Sequence, residues 1–321
     1  MKQYLLILLL LFFSCSKQEQ KIEKLTIGTP LVEASALIWI AEKQGFFNEN
    51  HLDVSIRIYE TGKFAVEDMI NNKIDLGLSA VFVIGNKVSE NPDLRILGVL
   101  TVSDIQAFLL RKEKNIRTIN DLKGKKIGVT PNTSAEYALE TVLYFNQISL
   151  KNVKIVNDIP SKLNERFISG ELDAILMWEP NIYRTLSKIG DNGFILNDIN
   201  MPLIYQTLSG KKANLEEKKE AVERFVKALD QAEKFLNSNP EQSKLIIKSR
   251  ISSTSEYIEY VWSKHQFNLS LPQNFLILLE NQLKWSNLKK NPSIKKIPHL
   301  LNYFDFSFLE SVDRKKIMII R

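Results

Sequence analysis

The chain has 321 residues, 44% hydrophobic and 25% charged, with a formal net charge of +6 at pH 7. That length buries a core large enough for two lobes. A single cysteine excludes an internal disulfide, the three histidines have no metal-ligand spacing, and the scattered lysine excess has no aromatic-interleaved tract of the kind that holds nucleic acid.

Lys2 precedes an unbroken apolar run from Leu5 to Phe13, and Ser14, Cys15 and Ser16 follow. A charged start, a short apolar core and a small residue before cysteine predict a secretory signal over 1–14. The run is too short to span a bilayer. The arrangement resembles a bacterial lipobox, which implies a diacylated Cys15 and a polar tether over 15–24. An ordinary signal with an incidental cysteine is the alternative.

Leu25–Thr29 alternates lightly and stops at Pro30, predicting a strand and a turn. Ser35–Gln44 is apolar on nearly every side and ends at Gly45, as a buried helix with a glycine cap does. Val54–Ile58 alternates as a half-buried strand. A helix over Phe64–Asn72 and a strand over Ile74–Ser79 follow. The series then recurs: strand Lys126–Thr130, helix Ser134–Phe145, strand Val153–Val156, helix Ser161–Ser169 closed by Gly170, and strand Ala174–Trp178. Beyond it, Val222, Phe225, Val226, Leu229, Ala232 and Leu236 recur at helical spacing, with Asn214 and Glu217 as an N-terminal cap. Pro240 opens another helix. Tyr257–Phe267 and Gln273–Leu288 read as two more, and Ile317–Ile320 as a closing strand or strap.

The recurrence is one unit written twice. Gly28 and Gly128, Ser35-Ala36 and Ser134-Ala135, and Asp75 and Asp173 hold matching places about a hundred residues apart. Strand–helix–strand alternation implies α/β lobes with mostly parallel sheets. Two lobes make a cleft, where small ligands bind.

Trp39-Ile-Ala-Glu-Lys-Gln-Gly45-Phe46-Phe47 with Leu52-Asp53-Val54 resembles the opening of the sulfonate/taurine/nitrate group of ABC-transporter solute-binding proteins, shared by thiamine-precursor-binding relatives. Asp121-Leu-Lys-Gly124-Lys-Lys-Ile-Gly128, Gly170-Glu-Leu-Asp173-Ala174 and Trp178-Glu179-Pro180 are similar to later segments of that group, in order. The tail matches through Tyr257–Trp262, Leu271-Pro-Gln273 and Trp285. The resemblance implies a two-lobed type II periplasmic-binding-protein fold. Lobe one would hold 25–104 and part of 204–321, with C-terminal helices, and lobe two 105–203. Hinges would cross at Thr101–Gln106 and Met201–Gln206. It further implies a monomeric protein on the periplasmic side of a bacterial membrane, or at the cell surface. There it would pass a small molecule to an ABC permease without cofactor or metal.

Helix N-termini hold anions through unpaired N–H groups. Thr133 and Ser134, opening the second-lobe helix, form the best such cradle, although Thr133 with Glu136 also reads as a capping box. Thr29, Pro30, Ser35, Ser79, Ala80 and Ser103 sit near strand ends, where open α/β sheets present ligand loops, or are ordinary turn residues. Trp178 beside Glu179 suits a flat or cationic ligand, against a packing tryptophan and an ion pair. Trp39 reads as packing within its helix. No Gly-x-Gly-x-x-Gly, P-loop or Gly-x-Ser-x-Gly is present. Asp75 and Asp173 read as structural rather than as an acid/base pair. A pyrimidine-forming enzyme on this fold would need a cysteine-rich iron motif, which a single cysteine cannot supply. A sensory lipoprotein that delivers nothing to a permease remains as another class of function.

Overall fold

The computed structural model describes residues 21–88, 90–197, 199–290 and 297–320. Cys15 and the signal expected over 1–14 lie outside them. Strands β1 (Glu23–Pro30), β2 (Leu52–Tyr59), β3 (Leu76–Ala80) and β4 (Leu94–Ser103) come first. β5 (Gln106–Arg111), β6 (Lys126–Val129), β7 (Lys154–Asn157), β8 (Ala174–Trp178) and β9 (Gly193–Ile195) form the second series, and β10 (Ile204–Lys211) and β11 (His265–Ser270) the last.

The first sheet has the order β11-β4-β10-β3-β1-β2 and the second β7-β6-β8-β5-β9. β1 is parallel to β2 and β3, and β6 is parallel to β7 and β8. Each sheet then takes an antiparallel strand that enters from the other unit: β10 between β3 and β4, and β5 between β8 and β9. The chain crosses once between β4 and β5 and returns before β10. At the crossings Ser103 pairs with both Ile204 and His265, and the Asp104 amide donates to the Lys264 carbonyl at 2.9 Å.

The helices of the first unit are α1 (Ala36–Gln44), α2 (Phe46–Glu49), α3 (Gly62–Ile70) and α4 (Val81–Val88). Those of the second are α5 (Ser134–Phe145), α6 (Pro160–Ile168) and α7 (Asn181–Ile189). α8 (Lys212–Glu217), α9 (Lys219–Ser238), α10 (Pro240–Arg250), α11 (Ser255–Trp262), α12 (Gln273–Lys290) and α13 (Ser307–Glu310) follow. Gly45 and Gly170 take left-handed φ of 79° and 86°, as the predicted helix ends require. Among the described residues no helix is long and apolar enough to cross a membrane.

The duplication is visible atom by atom. The Thr26 amide donates to Asp75 Oδ2 and the Lys126 amide to Asp173 Oδ2, each at 2.8 Å. A lysine clamps each carboxylate: Lys218 on Asp75 at 2.8 Å and Lys114 on Asp173 at 3.0 Å. Both aspartates therefore tie the first strand of a unit to its third, a structural task.

Three tail expectations need correction. The helix expected over Tyr257–Phe267 ends at Trp262, and His265–Ser270 is β11 instead. Its alternating buried and exposed positions obey period two, which the preceding helical spacing masked. Asn214 caps nothing, because it lies inside α8. Ile317 makes one bridge to Leu271 rather than a strand.

Candidate ligand-binding cleft

The two sheets face each other across a cleft bounding about 490 Å³ of unfilled space, partly open to solvent. Lobe one, the unit around the first sheet, contributes Pro30, Val32, Thr61, Gly62, Lys63, Ala80 and Val83. Thr133, Ser134, Trp178 and Glu179 face them from the second unit, lobe two. Ile105, Ile204 and Gln206 form the floor at the crossings.

Six residues singled out from sequence, Pro30, Ala80, Thr133, Ser134, Trp178 and Glu179, meet on these walls. Thr29, Ser35, Ser79 and Ser103 do not. Thr29 Oγ1 and Ser35 Oγ lie 2.8 Å apart, and Ser35 donates to the Pro30 carbonyl at 3.1 Å. Ser79 Oγ donates to the Ala80 carbonyl at 3.3 Å, and Ser103 Oγ meets His265 Nδ1 at 2.7 Å. All four are buried and hydrogen-bonded to neighbouring protein atoms. Trp39 packs in α1 and donates to the Val32 carbonyl at 2.9 Å.

Two helices open into the cleft. At α3, Thr61 is buried, its Oγ1 has no hydrogen-bond partner among the described residues, and Lys63 follows one residue into the helix. At α5 the expected capping box is absent. Thr133 Oγ1 donates backwards to the Thr130 carbonyl at 2.7 Å, and Glu136 Oε2 accepts from the Asn132 amide at 2.8 Å. The first α5 amides, those of Ser134 and Ala135, thus meet no acceptor among the described residues. They present partial positive charge to the cleft.

Opposite chemistry gathers at the β8 end. Trp178 is half-buried and packs against the core of lobe one and one of the two cores of lobe two. Glu179 is only 2% exposed, and its Oε2 accepts from the Tyr183 amide at 3.0 Å. Burial pushes its carboxyl up to about 7, moderated by the Tyr183 amide and raised further by the nearby Glu33 charge. The Tyr260 hydroxyl also bonds it, and Lys264 acts on it from a distance. It is therefore a carboxyl poised between acid and carboxylate near neutral pH, beside an indole.

Residues 33–243 match the sequence profile described as NMT1/THI5 like. The chain belongs to that family. A relative in Haemophilus influenzae, named for thiamine biosynthesis, is 26% identical over 212 residues, covering 65% of this chain and 67% of the relative. The chain spans about two thirds of the length of the curated relatives it matches. The alkanesulfonate-binding protein SsuA of Xanthomonas axonopodis, solved with MOPS bound, superposes with a TM-score of 0.71 at 17% identity, covering 86% of this chain and 96% of that one. The desulfurization enzyme DSZB superposes at 0.66 and 14%, covering 91% and 99%. This NMT1/THI5-like chain therefore has the fold of periplasmic solute-binding proteins, a fold that enzymes also use.

Sequence reasoning missed Thr61, Gly62, Lys63 and Gln206. Thr61 and Gly62 stand at the start of α3, but its counterpart α6 does not line the cleft, so the duplication gave no pointer to them. Gln206 arrives on the exchanged strand β10, which no local pattern marks.

Proposed function

We propose that the chain is a lipid-anchored solute-binding protein of an ABC importer. Its ligand is a small amino-bearing heterocycle of the aminopyrimidine class from which thiamine is assembled. Glu179 is the observation that carries the ligand reading. A buried carboxyl near its midpoint at neutral pH, flanked by Trp178, matches an aminopyrimidine edge. Carboxyl and ring nitrogen share one proton while the amino group donates to the second oxygen. The indole offers a face for the ring. The name of the Haemophilus relative agrees with this class.

Residues 25–104 with part of 204–321 would form one lobe and 105–203 the other, closing about the hinges Thr101–Gln106 and Met201–Gln206. Cys15 would carry the lipid on the periplasmic side. A second reading, a taurine-like sulfonate, is supported by Lys63 and the two uncapped helix starts. A thermal-shift panel of aminopyrimidines, taurine and alkanesulfonates separates the two. A ligand at a hundred times its Kd adds about 2.7 kcal/mol to stability. A shift with aminopyrimidines alone supports the first reading, a shift with sulfonates alone the second, and a flat panel neither.

A further inference from the structure

The polar side chains around the cleft floor are mostly engaged with the protein itself. Thr101 Oγ1 donates to the Ala34 carbonyl at 2.7 Å, and Thr207 Oγ1 to the Ser79 carbonyl at 2.9 Å. Ser103 Oγ meets His265 Nδ1 at 2.7 Å. Gln206 is the exception. It stands on β10 opposite Ala80 of β3 and Thr101 of β4, lines the cleft, and is 8% exposed. Its Oε1 is buried and has no hydrogen-bond partner among the described residues.

We infer that Gln206 is a specificity-determining residue: its carboxamide reads a hydroxyl carried by the ligand, so the cleft selects hydroxyalkyl aminopyrimidines over their alkyl counterparts. This rests on the aminopyrimidine reading of the cleft.

An amide in this place runs against the strand that carries it. β10 is buried at every position but its last, and an inward polar group there needs a partner. Left without one, a buried acceptor costs about 1–3 kcal/mol, which an apolar side chain of the same length would not. Ile204, two residues earlier on the same strand, and Ile105 complete the floor and are apolar. They receive an alkyl or a hydroxyalkyl substituent without distinction. Gln206 alone on the floor distinguishes them.

The chemistry of the carboxamide names the group it reads. It offers an acceptor and two donors on a terminal bond that turns freely, so either end can be presented to the cleft. A hydroxyl, which donates and accepts through one atom, matches either presentation. With one edge of the ring on Glu179 and its face on Trp178, the substituent on another edge is left for the floor. An alkyl substituent there shuts water out and leaves the carboxamide unpaired. A site that hydrogen-bonds a hydroxyl rejects the analogue lacking it more strongly than an apolar pocket rejects the hydroxyl.

The test is calorimetric titration with 4-amino-5-hydroxymethyl-2-methylpyrimidine and with 4-amino-2,5-dimethylpyrimidine, which lacks the hydroxyl. Wild type should prefer the first by at least about tenfold. Gln206→Met keeps the length of the side chain and removes its hydrogen-bonding groups. It should shrink the preference to below about threefold, by weakening the hydroxymethyl compound. The ligand-free variant should melt at the same temperature as wild type or higher, because an unpaired buried group has been removed. A purely structural glutamine would lower the midpoint instead. Equal affinities in wild type, or a preference that Gln206→Met leaves intact, would overturn the proposal. If neither pyrimidine binds wild type, the ligand reading fails, and melting decides the role of Gln206. A midpoint equal to or above wild type upholds it as a recognition group, and a lower one refutes it.

Discussion

Glu179 and Lys63 divide the chemistry of the cleft between them. The raised Glu179 carboxyl has a cost of its own above neutrality. Because its folded value is near 7, the protein gives up on the order of 3 kcal/mol as pH rises from about 4.5 through 7. Glu179→Gln should flatten that part of the stability curve, as read by chemical denaturation between pH 5 and pH 8. An unchanged slope would mean that the carboxyl is better solvated than its 2% exposure implies. Lys63 answers to anions. Lys63→Ala should weaken alkanesulfonate binding about tenfold, the worth of one charge-assisted hydrogen bond, and spare aminopyrimidines. Equal losses for both would remove the distinction between the two ends of the cleft. Trp178 and Glu179 were legible in the sequence because they stand together, at the end of a strand whose partner recurs earlier in the chain. Glu33 and Thr61 were not, since their burial arises only when remote segments pack.

Elements are positioned by paired devices. A Cβ on Gly28 would stand 2.5 Å from Ile74 Cδ1, and one on Gly128 2.7 Å from Leu172 Cδ1, so the same close approach is built into both units. Gly62 meets backbone instead of a side-chain end. A Cβ there would lie 2.6 Å from Ser79 Cα and 2.8 Å from the Leu78 carbonyl, backbone that cannot swing aside. Gly62→Ala should therefore displace the start of α3, costing about 1–3 kcal/mol of stability and weakening ligand capture. Unaltered affinity would show that the α3 start lies outside the binding surface. The paired strands and helices were readable because apolar periodicity and glycine stops repeat them. β10 and β11 were harder. β10 is set by the sheet it completes, between β3 and β4, and β11 follows a helical run without a glycine or proline break.

Across the whole molecule, contacts between the lobes hold them together. Phe82 of α4 stacks on Tyr137 of α5 at 5.5 Å, and Trp285 of α12 meets both rings. Lys289 reaches Glu136 at 2.7 Å and Glu140 at 2.6 Å across the same seam. On the other side of the opening, the Ser161 amide donates to Glu60 Oε1 at 2.8 Å. Since a ligand shifts closure only by what it binds differentially, these contacts set part of its apparent affinity. Lys289→Ala should weaken binding about fivefold, roughly 1 kcal/mol, with high salt doing the same to the wild type. An affinity insensitive to both would exclude this seam from closure.

The most direct measurement is calorimetric titration of the purified protein with 4-amino-5-hydroxymethyl-2-methylpyrimidine, repeated on Glu179→Ala. The account predicts one saturable site per chain and at least a tenfold loss in the variant. Absence of binding, or binding that Glu179→Ala leaves intact, would contradict it.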